Sequence, residues 1–259
     1  MRLFSFVLAV ALSAGALAQR IETREHPYKH GTAALKGFVA YDGSTRAKRP
    51  AVIIIHDWNS IDNYEQGRAR QLAQLGYYAF AADVYGSEHR PKTPQESGAL
   101  AGKWKGDRAA LRDRLQAALD EVKRQPQVDP NRIAVMGYCF GGTAAIELAR
   151  SGAPILGAVS FHGGLDAPHP EDDRKIKAKL LVLHGAVDPF VQEKDLDAFT
   201  KSMAEAKVDM QFISYPNAVH SFTEPSAGND PSRGAAYNAS ADRRSWEHMK
   251  LFFQELFRR

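Results

Sequence analysis

Apolar positions along the chain switch between two periods. Ala51-Val52-Ile53-Ile54-Ile55 is an unbroken, β-branched apolar run, the pattern of a strand buried on both faces of a parallel sheet. Tyr78–Ala82, Ile133–Met136, Ile155–Phe161, Leu180–His184 and Met210–Tyr215 repeat that pattern. Helical spacing falls between them, over Tyr64–Leu75 (stopped by Gly76), Asp107–Lys123, Phe140–Ser151, Gln192–Ala206 and Asp242–Phe257. Ala34–Tyr41 alternates and suits an early edge hairpin with the segment before it. Strand and helix alternate with no repeat and no linker. The fold class is therefore α/β: one domain, 34–259, with a mostly parallel central sheet and helices on both faces. Residues 19–33 read as a polar lead-in. Ser87–Gly106, rich in Pro, Gly and charge, reads as a long loop with room for a short helix.

The start of the chain stands apart. Arg2, the apolar run Leu3–Leu12 and Ala16-Leu17-Ala18 have the layout of a secretory signal peptide over 1–18. The run is short of the ~20 residues a membrane span needs. The expectation is an exported protein, periplasmic or secreted, with no stable membrane anchor after cleavage. The net charge of +4 is spread along the chain, so no nucleic-acid partner is expected. No H-E-x-x-H motif or His/Cys cluster is present, and neither metal nor cofactor is expected. Nothing in the sequence sets the oligomeric state.

The chain has one cysteine, which cannot form an internal disulfide. It sits in Gly137-Tyr138-Cys139-Phe140-Gly141-Gly142, between a predicted strand and a predicted helix. This is the G-x-S-x-G nucleophile elbow with Cys in place of Ser. A helix N-terminus favours thiolate there, and the Phe140 N–H is free to meet an oxyanion. In such folds the acid and then the base follow the nucleophile along the chain, each past a strand end. Asp188, after Leu180–His184, fits the acid, and His220, after Met210–Tyr215, fits the base. Trp58, past the strand ending at Ile55, is the second candidate oxyanion donor. His162, Trp104, Phe222, Glu224 and Tyr237 are candidate pocket residues, whereas His184 reads as structural. Both 87–106 and 224–237 suit either a pocket rim or a solvent-exposed connection.

Nearly the whole mature chain resembles the dienelactone hydrolase family. The resemblance rests on Ile55-His56-Asp57-Trp58, Ala82-Asp83-Val84-Tyr85-Gly86, the Cys139 motif, His184-Gly185 with Asp188-Pro189, and His220-Ser221-Phe222. It implies an α/β-hydrolase fold, a Cys139-His220-Asp188 triad and no cofactor. It also implies a small-molecule ester, lactone or thioester as substrate. Two positions depart from the family pattern. Asp57 stands where members carry a Glu that touches the resting thiol, and Glu224 stands where members on anionic dienelactone place an arginine. The Glu224 carboxylate would repel such a substrate, so dienelactone is not the expected preference. A thiol-redox protein, a non-catalytic binding module and a serine-type esterase or peptidase are the rival readings. Cys139 itself disfavours the last.

Overall fold

The structure, a computed structural model, describes residues 19–258; the signal-like segment 1–18 lies outside them. Eight strands form one sheet in the order β1-β2-β4-β3-β5-β6-β7-β8. These are β1 Ile21–His30, β2 Ala33–Asp42, β3 Arg49–Ile55, β4 Tyr78–Ala82, β5 Val128–Tyr138, β6 Gly157–Phe161, β7 Lys179–Gly185 and β8 Met210–Tyr215. β1 and β2 form an antiparallel hairpin that joins β4 antiparallel, and every other pairing is parallel. Central β3 pairs Ile53 with Phe80 on one side and Val135 on the other.

The side-chain period of a strand splits β3 between two cores. Ala51, Ile53 and Ile55 face the core that also holds α3 (Arg108–Lys123), α4 (Phe140–Arg150) and α5 (Glu193–Glu205). Val52 and Ile54 pack with α1 (Asn63–Gln74) and α6 (Ala239–Leu256). Helices thus cover both faces, as the apolar runs require. Because β3 and β5–β8 run parallel, the turns after them open on one edge. His56, Cys139, His162, Asp188 and His220 all follow strand ends there.

Two segments differ from the sequence reading. The polar lead-in is strand β1, in register from Ile21 with Asp42 to His30 with Ala33. Its polar character reflects an edge position with much of the strand facing solvent, while Tyr28 turns inward and its hydroxyl donates to the Asp83 carbonyl at 3.0 Å. Within 87–106, Pro94–Gly106 is helix α2. Thr93 caps it by accepting the Glu96 N–H, and Pro94 opens the first turn. Gly98 and Gly102 conceal it in the sequence, since each costs a helix interior about 1 kcal/mol relative to Ala.

Candidate active site

Cys139 ends the β5-to-α4 turn in a left-handed backbone, φ 52°. That turn leaves no space for side chains beside it. A Cβ on Gly137 would stand 2.0 Å from the Gly141 carbonyl oxygen, and one on Gly141 2.2 Å from that of Ile55. Both glycines are therefore required by close backbone approach.

His220 Nε2 lies 3.0 Å from Cys139 Sγ, and its Nδ1 lies 2.8 Å from Asp188 Oδ2. The Asp188 side chain is buried, and its Oδ1 accepts the Phe190 N–H at 2.9 Å. Burial disfavours the charged imidazole, but the neighbouring sulfur and carboxylate outweigh it and His220 is pushed up to about 10. The loop after β8 grips the same residue. The His220 N–H donates to the Gly234 carbonyl and the Ala236 N–H to that of His220.

The segment after β3 is held at several points. His56 accepts the Val84 N–H on Nε2, so its Nδ1 carries the proton that reaches the Asp57 carbonyl at 2.6 Å. Glu65 accepts the N–H groups of Asp57 and Asp62, and the Tyr85 hydroxyl donates to the Trp58 carbonyl at 3.2 Å. Among the described residues, the N–H groups of Trp58 and Phe140 have no protein acceptor. A cavity of about 500 Å³ opens over the sulfur. Trp58, Asp57, Phe190, Glu224 and Arg233 border it.

Asp57 does not hydrogen-bond the thiol. Its carboxylate accepts the Asn59 backbone N–H at 2.6 Å and the Asn59 side-chain amide at 3.2 Å, a local turn that captures the shorter side chain. Burial pushes its carboxyl up to about 7, against the bonds from Asn59. Since that value exceeds the unfolded one of about 3.9, the group's contribution is greatest at acid pH and is lost as pH rises from about 4 through 7. Asp57→Asn should therefore gain about 2–3 kcal/mol relative to wild type between pH 5 and pH 8, roughly 1.4 kcal/mol for each of the two pH units up to the folded value of about 7. Thermal melts at the two pH values test this, and a difference that ignores pH would contradict it.

Four candidate pocket residues lie elsewhere. His162 is buried behind Cys139, where its Nδ1 accepts the Cys139 N–H at 3.2 Å and its protonated Nε2 meets Thr223 Oγ1 at 2.8 Å. Burial holds it well below the ordinary histidine range, hence neutral. Phe222 is fully buried, edge-on to His162 at 5.1 Å. Trp104 sits on the core-facing side of α2, with the Arg114 guanidinium 4.8 Å from its ring. The Tyr237 hydroxyl donates to Asp242. Glu224 does line the cavity, facing it together with Arg233. Arg233 and Phe190 went unnoticed in the sequence because neither belongs to a motif. His56, Glu65 and Tyr85 act as supports, visible only once the loop is folded.

A model of the dienelactone hydrolase family matches residues 35–257. The chain belongs to that family of hydrolases. It is similar to the solved structure named m3DLH, at 40% identity and a TM-score of 0.88, covering 92% of this chain and 99% of the other. It is equally close in fold to P91, a dienelactone-hydrolase-like promiscuous phosphotriesterase from metagenomic libraries. That match has 39% identity, a TM-score of 0.88, and 92% and 99% coverage. A Bradyrhizobium sp. protein named "Probable 2-oxo-3-(5-oxofuran-2-ylidene)propanoate lactonase" is 30% identical over 185 residues, 68% of this chain and 74% of that one. This dienelactone hydrolase family member has an α/β fold with one eight-stranded, mostly parallel sheet.

Proposed function

We propose that this protein hydrolyses carboxylic esters, lactones or thioesters through an acyl-enzyme on Cys139. The observation that carries the reading is the chain of contacts from sulfur to His220 to buried Asp188, at 3.0 and 2.8 Å. The thiolate attacks the carbonyl carbon and a C–S bond forms. The N–H groups of Phe140 and Trp58 take the oxyanion. The C–O (or, in a thioester, C–S) bond to the leaving group breaks, and the leaving group takes the His220 Nε2 proton. A water then gives a proton to His220 and attacks the thioester, and the C–S bond to Cys139 breaks to release the acid. Asp188 holds the imidazole in one tautomer and stabilises its cation. The signal-like segment 1–18 supports action outside the cytoplasm.

The charge around the cavity favours neutral substrates. Glu224 and, once pH passes about 7, the ionised Asp57 face it against one guanidinium, Arg233. The relative titled a promiscuous phosphotriesterase supports a second reading, a neutral phosphotriester in the same cavity. A panel of neutral esters, thioesters and lactones, a neutral phosphotriester and the anionic dienelactone tests both. The best neutral ester should exceed dienelactone by about tenfold or more in kcat/KM, a difference of ~1.4 kcal/mol. Dienelactone turnover equal to or better than that of the neutral esters would overturn the preference.

A further inference from the structure

Two cavities diverge from the sulfur. Both are bordered by Trp58, Cys139, Phe190 and His220. The larger leads to the charged residues described above. The smaller, about 290 Å³, runs along α2 beside Gly98, Ala101, Gly102 and Lys105, with Val191 and Gly164 also on its wall. Those four α2 positions are spaced i, i+3, i+4, i+7, one helical face extending about 10 Å. The adjoining side of the helix carries Leu100 and Trp104 into packing with the core, and Ala101, between the two sides, touches both.

Among the described residues, no carboxylate borders the smaller cleft. Its one lysine, Lys105, has its Nζ 3.5 Å from Asp166, a carboxylate that Arg108 also contacts at 2.6 Å, so its charge is offset only in part. The cleft is the smaller branch, about 290 Å³ beside about 500 Å³, which suits one substituent while the rest of the substrate occupies the larger one.

The glycines carry the argument further. A Cβ on Gly98 or Gly102 would meet no atom within 4 Å, and neither residue has a positive φ. Packing and backbone geometry thus do not require glycine, although only proline is worse in a helix interior. What the missing side chains provide is the open space of the cleft. Gly67 in α1 also has nothing within 4 Å, but it borders neither cavity and serves as a control.

We propose that the α2 cleft receives an unbranched apolar chain attached to the scissile ester, and that Gly98 and Gly102 set the chain length accepted. This rests on Cys139 being the nucleophile. The chain could belong to the acid or to the alcohol half of the ester, and two substrate series separate these. One is p-nitrophenyl acetate, butyrate and octanoate; the other is methyl, butyl and octyl benzoate.

In Gly102→Leu, the long-to-short ratio of kcat/KM should fall at least about tenfold in one series, the loss from excluding about two methylenes. A fall in the acyl series places the chain in the acid half, and a fall in the alkyl series places it in the alcohol half; either supports the proposal. Gly102→Ala should raise the melting temperature and lower the same ratio. Gly67→Ala should raise the melting temperature and leave the ratio alone. A folded Gly102→Leu with both ratios within twofold of wild type would overturn the assignment. Wild type inert on every ester, or still active as Cys139→Ala, would instead sink the hydrolase reading beneath it.

Discussion

Cys139→Ala is expected to reduce ester turnover by about 10⁴-fold or more, to the level left by the oxyanion donors and binding alone. The variant loses the sulfur proposed to form the acyl bond. The fold should tolerate the change, because only the thiol group is removed and Cys139 remains partly accessible. Ala meets the same φ of 52° as Cys, so the strain at the elbow is carried over rather than added. His220 keeps Asp188 but loses the sulfur that helps hold its proton. A circular dichroism melt within a few degrees of wild type would confirm that loss of turnover is chemical. Steady-state kinetics on the best neutral ester give the readout. Residual activity close to that of wild type would remove Cys139 from the mechanism and require another nucleophile. The redox reading separates differently: reversible oxidation of the thiol would survive His220→Ala, whereas acyl transfer would not.

Cys139, Asp188 and His220 could be expected to meet from the sequence because strand ends in a parallel sheet have a fixed destination. A residue one turn past β5, β7 or β8 must arrive at the same edge, whatever the details of the loops. Pocket walls have no such rule. Trp104 misled because a wall residue on a helix is decided by helical phase, and no phase can be assigned while 94–106 reads as loop. With α2 in place, Trp104 falls on the core side and Gly98 and Gly102 on the cleft side. Phe222 is adjacent to Ser221, which does line the cavity, and is itself fully buried. His162 belongs to the layer beneath Cys139, where its ring accepts the very N–H that follows β5. Arg233 reaches the rim through a short turn, Pro231–Arg233, with no periodic signal. The edge hairpin expected at Ala34–Tyr41 is present as β1 and β2, but the extent of β1 was not legible, since an edge strand is specified by its backbone partners more than by an apolar face.

Asp188→Asn should lower kcat/KM by about 10³-fold, less than the ~10⁴ lost in a serine triad because a thiol needs less help to ionise. The wild-type carboxylate can only accept, so it fixes the proton of His220 on Nδ1 and leaves Nε2 facing sulfur. An asparagine can present its amide N–H to Nδ1, which forces the proton onto Nε2. In that tautomer the ring cannot take the thiol proton. The pH profile distinguishes this from simple damage. In wild type His220 is cationic up to about 10, where burial opposes the charge and the sulfur and Asp188 sustain it. Protonation of the leaving oxygen needs that cation, so activity should hold through neutral pH and fall as pH passes about 10. Without the Asp188 charge, burial gains weight and the alkaline limb should move to lower pH. A loss smaller than tenfold with the limb unmoved would mean that Asp188 only braces its own turn through the Phe190 N–H.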